Sequence, residues 1–497
     1  MKPSKVLLYL SIVLLMLGLT AYFFPENGLH LSKDITLQFP KLKDILSPEK
    51  KNYADITSII QENQKADSTA PESEDLSKFS DTASYASLDK EHVQQIEYPG
   101  NDKSLLYPFF EKLQNAATTS EVFRIMHYGD SQIEGDRITS YLRFKFQSQF
   151  GGFGIGMFPV VSVTPSSSLY WSASDNWMKV AINDNLKSSK RQHYFGPMMS
   201  FACLVHVQKD SLNPDTTGII NGWIKVNVLP KTFAKNQQFK KVRMFTSKSG
   251  QVSRFKLITN GKVVDSEIEE LASGVLMIEW KFAETPRNFT IRFSGKTSPD
   301  VYGLSLEGDE GIAVDNVPLR GSSGYGFNWN NAEFLREFYK KLNVKLLFAQ
   351  FGVNAVPQDE KVIVPNYAFY ERAFYQNLRF LKSLDPDLSI IVIGISDRSR
   401  KNGESYETNP NVLKIRLAQR NAAFRAGCMY WDMFEAMGGE NSMPSWVMAK
   451  PPLANKDFTH FNDKGARFIG EMFYKAIMKD FMEYQAVKKA VPALADR

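Results

Sequence analysis

The chain has 497 residues, more than one hydrophobic core usually supports, and we therefore expect two folded units together with non-globular segments. The formal net charge of +6 is spread along the sequence and is not gathered into a basic block of the kind that nucleic-acid-binding proteins carry. The charge distribution therefore argues against nucleic acid as a partner and predicts only a weak attraction to anionic surfaces or glycans.

An uncharged stretch close to the N-terminus runs from Val6 to Phe24. As a helix with a rise of 1.5 Å per residue, its 19 residues would be about 29 Å long, close to the ~30 Å hydrocarbon core of a bilayer. Lys2 and Lys5 precede the stretch, so we predict a single transmembrane anchor over 6–24, with residues 1–5 in the cytoplasm and the rest of the chain outside. A cleaved signal peptide is the alternative, although no A-x-A-like cleavage site follows the stretch.

Residues 25–104 are rich in Lys, Asp, Ser and Glu and contain few large apolar side chains. A segment of this composition cannot bury enough apolar surface to offset the conformational entropy that it loses on folding. We therefore predict a flexible linker over 25–104, which would let a folded region move at some distance from the membrane.

Folded sequence is expected from residue 105, where an α/β pattern begins. The apolar segment Val122–Tyr128 predicts a buried strand, and after a polar turn residues 137–150 have the periodicity of a helix. The glycine-rich segment Gly151–Gly156 follows this helix, whereas a phosphate-binding loop links a strand to a helix. We therefore predict the first part of an α/β domain over 105–164, without a nucleotide site at these glycines.

The pattern changes between residues 165 and 315, where seven short segments of alternating apolar and polar residues follow one another without helices between them. Asn260 and Gly261 separate two of these segments and form a dipeptide that two-residue hairpin turns favour. We predict that 165–315 form an all-β sandwich of the jelly-roll type, inserted into the α/β domain.

From 316 to 497, helical patterns alternate again with apolar segments, of which Val344–Phe351 and Leu388–Ser396 are the most continuous. Strands that are apolar on both sides are typical of a parallel sheet with helices on both faces. The parts over 105–164 and 316–497 therefore predict one doubly wound α/β domain, which the β insert interrupts.

Three polar clusters are predicted to lie at the carboxyl ends of strands, where ligands bind in open α/β sheets. The first, His127–Asp136, contains Ser131, the second is Gln350–Ala355, and the third, Asp457–Asp463, precedes the last helix. Hydrolysis by a serine requires a base, a group that orients the base, and hydrogen-bond donors for the oxyanion. The clusters contain all of these residue types, so we expect them to converge.

In the third cluster, the spacing D-x-x-H lets the carboxylate of Asp457 reach the imidazole of His460 within one loop. This contact would fix the tautomer whose other nitrogen faces the hydroxyl of Ser131. The side-chain amide of Asn354 and the backbone N–H of Ser131 are suited to be oxyanion donors, and a glycine N–H is needed as a third.

Three motifs resemble, in chain order, blocks I, III and V of the SGNH or GDSL hydrolases: GDSQ (129–132), GVN (352–354) and DFTH (457–460). The resemblance implies a three-layer α/β/α domain of the flavodoxin-like type. It also implies a catalytic triad with these members: the nucleophile Ser131, the general base His460 and the orienting residue Asp457.

The resemblance further implies an oxyanion hole formed by Ser131, Asn354 and a glycine of block II. We place this glycine at Gly321, where the insert gives way to the α/β domain, with Gly324 as the alternative.

The stretch 129–156, followed by an inserted β domain, resembles the peptidoglycan O-acetylesterases in particular, whose inserted domain is similar to carbohydrate-binding modules. This resemblance implies a serine esterase held at a bacterial cell membrane, with its catalytic domain in the periplasm. Its substrate would be a small acyl ester, chiefly O-acetyl, on peptidoglycan or another glycan, and it would need no metal or cofactor. Gln132 stands where the family usually has Leu or His, which bears on substrate fit more than on chemistry.

Two other functions stay open at this point. An O-acyltransferase would use the same triad and pass the acyl group to a sugar hydroxyl instead of water. A chain with a vestigial pocket would be a non-catalytic, membrane-tethered glycan-binding protein.

Other residues have structural interpretations. His127 is expected in the core, and Asp130 and Asp136 in turns or helix caps. Cys203 and Cys428 lack CxxC spacing and are interpreted as two buried thiols, with a disulfide as the alternative. Three aromatic residues of the insert suit either sugar stacking or the core: Tyr170, Trp171 and Trp177.

Overall fold

The computed structural model describes these residues of the chain: 3–25, 28–31, 36–37, 39, 52–67, 76, 93–116, 118–184, 194–206, 218–247, 253–269 and 274–495. The chain forms two units, Met1–Asn52 and Tyr53–Arg497. In the first unit, the 21-residue helix α1 (Pro3–Phe23) is about 32 Å long and apolar enough to span a membrane, which fits both the predicted anchor and a signal sequence. Two short antiparallel strands follow it: β1 (Leu29–His30) and β2 (Thr36–Leu37).

The second unit is an α/β domain that a β insert interrupts. The part before the insert contains α2 (Thr57–Asp67), β3 (Ile96–Glu97), α3 (Tyr107–Gln114), β4 (Val122–Gly129) and α4 (Thr139–Phe150). The insert contains β5 (Gly156–Phe158), β6 (Leu169–Ala173), β7 (Trp177–Ala181), β8 (Ser200–Leu204), β9 (Ile220–Val228), β10 (Lys241–Ser247), β11 (Ser253–Thr259), β12 (Lys262–Val264), β13 (Glu267–Glu269), β14 (Val275–Lys281), β15 (Asn288–Gly295) and β16 (Val301–Glu307). The part after the insert contains β17 (Gly311–Pro318), α5 (Ala332–Leu342), β18 (Val344–Gln350), α6 (Ala368–Lys382), β19 (Ser389–Ile393), β20 (Ser399–Asn402), β21 (Ser405–Thr408), α7 (Pro410–Arg425), β22 (Met429–Trp431), α8 (Met433–Ala436), α9 (Ser442–Met448) and α10 (Asp463–Ala495).

Six strands form the central sheet in the order β17-β4-β18-β19-β22-β3, and all neighbours are parallel except β22 and β3. Successive residues of a strand point to opposite faces of the sheet, so both faces need cover. Leu347 and Ala349 of β18 pack in one core with α5, α6 and α7, whereas Leu346 and Phe348 pack in another with α3, α4 and α10. The predicted doubly wound, three-layer fold is confirmed.

The insert consists of two antiparallel sheets. One has the order β13-β14-β10-β16-β8-β7, with β5 also paired to β16, and the other has the order β12-β11-β15-β9-β6. Alternate residues of β9 are buried, and Ile224 and Val226 pack in one core with Val242 and Met244 of the opposite sheet. The insert is therefore the all-β sandwich that its alternating pattern predicts.

The edges of the insert differ from the boundaries predicted at 165 and 315. At the start, β5 pairs with β16 within the insert. At the end, β17 (Gly311–Pro318) pairs in parallel with β4 and thus belongs to the central sheet. Asp315 interrupts the apolar residues of this strand, so the sequence pattern does not indicate that β17 belongs to the central sheet. In the fold, Asp315 is buried and accepts a hydrogen bond from the guanidinium of Arg124 at 2.7 Å.

Part of the segment predicted as a linker over 25–104 is folded against the α/β domain. Ile96 and Tyr98 are buried in the core of α3 and α10, and the hydroxyl of Tyr98 donates a hydrogen bond to Asp480 at 2.6 Å. The prediction from composition is wrong for this part of the segment. A few apolar side chains, Ile96 and Tyr98 among them, are buried against the α/β domain and hold the polar residues around them in place. Other parts of the predicted linker lie outside the described residues, among them 68–75 and 77–92.

Candidate active site

The first two predicted polar clusters lie at one edge of the central sheet. Gly129 at the end of β4 is in register with Pro318 of β17 on one side and with Gln350 of β18 on the other. The three strands therefore end at the same level, and the loops that follow them meet there. Ser131 begins a short 3₁₀ turn directly after β4, and the carboxylate of Asp130 caps this turn by accepting the N–H of Gln132 at 3.0 Å.

The third cluster joins the first through a chain of hydrogen bonds. The Oγ atom of Ser131 lies 2.8 Å from Nε2 of His460, and Nδ1 of the same ring lies 2.8 Å from Oδ2 of Asp457. With the proton of the neutral ring on Nδ1, the ring donates to Asp457 and its Nε2 accepts the hydroxyl of Ser131. A hydroxyl, an imidazole and a carboxylate in this order can deprotonate the hydroxyl as it attacks a carbonyl.

The carboxylate of Asp457 is held in its charged form. Partial burial raises its pKa, but hydrogen bonds from the ring and the N–H of His460 and from the N–H of Thr459 outweigh this effect and lower the pKa to about 2. Its Oδ1 accepts both backbone N–H groups at 3.0 Å, and Oδ2 accepts the ring. Asp457 is therefore an anion at neutral pH and has one fixed orientation.

The loop that carries Asp457 and His460 is braced by the β20–β21 hairpin. Phe458 has a φ of 53°, which is unusual for a residue with a side chain, and its ring stacks on Tyr406 with centroids 3.6 Å apart and planes 10° apart. The carbonyl of Phe458 also accepts the N–H of Ser399 at 3.1 Å. These contacts hold the loop in a conformation that its own backbone disfavours.

We expect Tyr406→Ala to lower kcat by about tenfold with a smaller change in KM, because loss of the stack lets His460 move away from Ser131 and small displacements of catalytic groups are costly. Steady-state kinetics on a chromogenic acetate ester measure this effect. The matched control is Tyr406→Phe, which keeps the ring and should retain most of the activity. Equal losses in both variants would contradict a role for the stack.

Two of the three predicted oxyanion donors, Asn354 and Gly321, follow β18 and β17, the strands on the two sides of β4. The side-chain amide of Asn354 donates one hydrogen bond to the carbonyl of Ser322 at 3.0 Å, which orients it and leaves its second N–H free to bind an oxyanion. Gly321 lies in an exposed turn with a φ of 76°. Among the described residues, no hydrogen bond of its N–H is found.

The alternative glycine, Gly324, is less suited to be a donor. Its N–H already donates to the Oγ of Ser322 at 3.1 Å. Gly324 is buried, and a Cβ atom there would lie 2.7 Å from the ring of Phe374 and 2.8 Å from that of Phe351. Close packing thus explains this glycine, and the choice of Gly321 remains our prediction.

The side chain of Gln132 turns into the protein. It is buried and donates to the Oγ of Ser396 at 2.7 Å and to the carbonyl of Thr459 at 3.1 Å. An effect of this residue on substrate fit stays a prediction. Gln132 ties the turn of Ser131 to the loop of His460.

Two arginines that the sequence did not single out connect the clusters. Arg137 donates to the carbonyl of Ser131 at 3.2 Å and to that of Phe461 at 3.0 Å. Arg398 donates to the carbonyl of Val353 at 2.7 Å. All three hydrogen bonds go to backbone carbonyls, so no side-chain motif in the sequence could have indicated them.

Asp130 has an unusual environment for a carboxylate. Burial raises its pKa to about 7, although the N–H of Gln132 and the charge of His460 act in the opposite direction. Its Oδ2 atom is buried, and the backbone N–H of Val353 also acts to lower the pKa. As predicted, Asp130 caps a turn, and it does so through its Oδ1 atom.

We expect Asp130→Asn to stabilise the fold more at pH 7.5 than at pH 4.5. Between pH 4 and 7 the unfolded chain releases the proton of Asp130 while the folded chain keeps it, so a rise in pH favours unfolding, and asparagine removes this term. The difference between the two pH values is at most about 3 kcal/mol, from a pKa of about 7 against the ordinary 3.8. Urea unfolding at both pH values measures it, with the exposed Asp387→Asn as control. Parallel pH profiles of variant and wild type would contradict the expectation.

The remaining predicted residues have structural roles. His127 is buried between Gln350 and Thr139, at 3.0 and 2.9 Å, and burial lowers its pKa to about 3, which confirms it as a core histidine. Asp136 lies at the end of the turn 131–136, as predicted, and also forms a buried ion pair with Arg143 at 2.8 Å. The other members of this group are a buried Trp177, a half-buried Trp171, an exposed Tyr170, and the buried Cys203 and Cys428, which form no disulfide. Among the described residues, no group of three or more His, Cys, Asp or Glu side chains could hold a metal ion.

The fold is that of the SGNH hydrolases, with a β sandwich inserted after the nucleophile block. No family model matches the chain, and no curated protein matches its sequence. Among solved structures, a peptidoglycan O-acetylesterase is similar over 76% of this chain and 96% of its own, with 20% identity and a TM-score of 0.57. The fold class predicted from the motifs is thus confirmed.

Two further structures are similar to parts of the chain. An acetyl xylan esterase covers 33% of this chain and 81% of its own, with 15% identity and a TM-score of 0.24. A carbohydrate esterase family 2 enzyme with a carbohydrate binding domain, from Corynascus thermopiles, covers 61% of this chain and 99% of its own, with 11% identity and a TM-score of 0.25.

Proposed function

We propose that this chain is a serine esterase that removes small acyl groups, chiefly O-acetyl, from extracytoplasmic glycans. The observation that carries the proposal is the unbroken relay from Ser131 through His460 to Asp457, with both side-chain contacts at 2.8 Å. In this proposal Ser131 is the nucleophile, His460 the general base and Asp457 the group that orients the base and stabilises its charged form.

The proposed reaction has two steps. The Oγ atom of Ser131 attacks the ester carbonyl while its proton passes to Nε2 of His460. When the bond between the acyl carbon and the sugar oxygen breaks, His460 gives this proton to the sugar oxygen, which leaves as a hydroxyl. Water, deprotonated by the same nitrogen, attacks the acyl-enzyme and releases the acid. The oxyanion of each tetrahedral intermediate accepts hydrogen bonds from the N–H groups of Ser131 and Gly321 and from the amide of Asn354. These steps use side chains, backbone and water and require no metal or cofactor.

A glycan substrate at the cell surface is supported by two features. The chain has the fold of a peptidoglycan O-acetylesterase, including the inserted β sandwich. The apolar helix Pro3–Phe23 precedes the folded unit and would place it on the outer side of a bacterial membrane, in the periplasm. We propose peptidoglycan or a similar cell-wall glycan as the substrate.

Labelling with a serine-directed fluorophosphonate, followed by peptide mapping, tests the enzyme against a glycan-binding protein without activity. We expect one labelled peptide, which contains Ser131, and no label after Ser131→Ala. Absence of label on the folded wild-type protein would contradict the proposal. Released acetate and acetylated acceptor, measured together with an acetylated glycan, separate an esterase from an O-acyltransferase.

Asn354→Ala should lower kcat by a factor on the order of 10² to 10³, or about 3 kcal/mol of transition-state stabilisation, because it removes one oxyanion donor. Pre-steady-state kinetics on a chromogenic acetate ester measure the acylation rate directly. Asn115→Ala is the control, because it removes the same side-chain amide at an exposed position, the C-cap of α3, outside the three clusters. A loss below threefold for Asn354→Ala would rule out this donor.

A further inference from the structure

A pocket of about 260 Å³ lies between the β insert and the α/β domain. One wall is the turn that follows Ser131, at Glu134 and Gly135, and another is the end of β17 with Leu319 and Arg320. Strands β6 and β7 of the insert supply the opposite wall, where Trp171 and Lys179 lie. The pocket thus begins three residues after the proposed nucleophile and one residue before Gly321.

Hydrogen bonds fix the insert against the turn of the nucleophile. The N–H of Ser167 donates to the carbonyl of Gly135 at 2.9 Å, and the hydroxyl of Ser168 donates to Asp136, itself in a buried ion pair with Arg143. A Cβ atom at Gly135 would lie 3.3 Å from the carbonyl of Pro165. The walls are therefore held together before any ligand binds.

The lining combines an aromatic surface with balanced charge. Trp171 is half-buried and packs edge-on against Phe158, with ring centroids 5.1 Å apart. The titratable residues of the lining are three acids and three bases: Glu134, Asp136, Asp184, Arg143, Lys179 and Arg320. A net charge of zero gives no preference for an anion such as a phosphate or a lipid headgroup.

Polar groups in the pocket offer both donors and acceptors. Lys179 is exposed as a whole, but nearby protein atoms partly desolvate its ammonium and lower its pKa, while the charges of Asp184 and Glu134 act in the opposite direction. The guanidinium of Arg320 lies 3.9 Å from the carboxylate of Glu134 at the edge nearest Gly321. Sugar hydroxyls both donate and accept hydrogen bonds, and a pyranose ring has an apolar face that fits an aromatic side chain. A pocket of mixed aromatic and polar lining is suited to such a ligand.

We propose that this pocket binds a pyranose ring of the glycan chain next to the sugar that carries the ester, and that Trp171 and Lys179 determine its affinity. The inference rests on the proposed esterase function, because it assigns the ring a place beside the reacting ester. The inference also gives the insert a role. The chain leaves the α/β domain after α4 and returns to it at β17, and both of these elements line the pocket.

The test compares two substrates on the full-length protein: O-acetylated peptidoglycan fragments and p-nitrophenyl acetate. Trp171→Ala and Lys179→Met should each lower kcat/KM on the glycan fragments at least tenfold, mainly through KM, and lower it on the small ester less than threefold. The controls are Trp223→Ala and Lys225→Met, on the exposed face of β9. They should stay within twofold of the wild type on both substrates.

Unchanged kcat/KM on the glycan in both pocket variants, or equal losses on the two substrates, would overturn the proposal. Lys179 is exposed, so Lys179→Met keeps the test decisive if Trp171→Ala disturbs the core of the insert. Calorimetric titration with de-O-acetylated fragments separates the two proposals, because it needs no catalysis. At least tenfold weaker binding by the variants would support the pocket even if the wild type hydrolysed neither ester, and equal binding would refute it.

Discussion

Replacing Ser131 by alanine is expected to reduce hydrolysis of acetate esters to the background rate. Removal of the nucleophile from a serine–histidine–aspartate relay costs a factor on the order of 10⁶ in kcat, because no other group can form the acyl-enzyme. The Oγ atom of Ser131 is the one hydroxyl in contact with His460 among the described residues, at 2.8 Å. Release of p-nitrophenol and of acetate from an acetylated glycan both measure the loss.

The fold should survive this change, because Ser131 is only half-buried, its carbonyl keeps the bond from Arg137, and the cap of the turn by Asp130 uses the N–H of Gln132. An unchanged thermal midpoint would show that the loss is chemical. Ser383→Ala is a matched control, since this exposed serine ends α6 at the opposite edge of the sheet. Activity of Ser131→Ala above a tenth of the wild type would remove this residue from the mechanism.

The position of the site could be predicted because the strands that carry it are apolar along their length. Val344–Gln350 and Ser389–Ile393 are continuous runs of mostly apolar residues, as strands covered on both faces require. In a parallel sheet the carboxyl ends of such strands meet at one edge, so the polar residues after them had to converge. The spacing of Asp457 and His460 then fixed their contact within one loop.

Elements that depend on partners distant in sequence were harder to predict. β17 contains Asp315, whose carboxylate is compatible with a core because the buried guanidinium of Arg124 and the N–H of Met157, both far away in the chain, donate hydrogen bonds to it. The short strand β3 pairs with β22, from the other end of the molecule, and Ile96 has few apolar neighbours in sequence. Local composition cannot indicate such pairs.

The direction in which a side chain points could not be predicted from the sequence either. Gln132 directly follows Ser131, yet its amide turns into the sheet edge and binds Ser396 and Thr459. A 3₁₀ turn places successive side chains about a third of a turn apart, so neighbours of a nucleophile can face the interior. We therefore expect substrate contacts from the walls of the pocket between the insert and the α/β domain, and not from the residue that follows Ser131.

Asp457→Asn is expected to lower kcat by a factor on the order of 10³ to 10⁴, as loss of this carboxylate does in serine proteases. Oδ1 of Asp457 accepts the N–H groups of Thr459 and His460, each at 3.0 Å. An asparagine would keep these bonds through its carbonyl oxygen and so present its NH₂ group to Nδ1 of the ring. Nδ1 would then become the acceptor, Nε2 would carry the proton, and the ring could not take the proton of Ser131.

Because Asp457→Asn changes the tautomer of His460 and keeps the loop in place, it is more informative than a variant that removes the side chain. The loop keeps both backbone hydrogen bonds, so the thermal midpoint should change little while kcat falls, and KM should stay near the wild-type value. The side chain of Asp457 is 50% exposed, so water can partly replace the carboxylate as acceptor, which favours the lower end of the range. Asp463→Asn, at the start of α10 in the same cluster, should keep kcat within twofold. A loss below tenfold in Asp457→Asn would show that His460 finds its tautomer without this carboxylate, and the relay would then reduce to a serine–histidine pair.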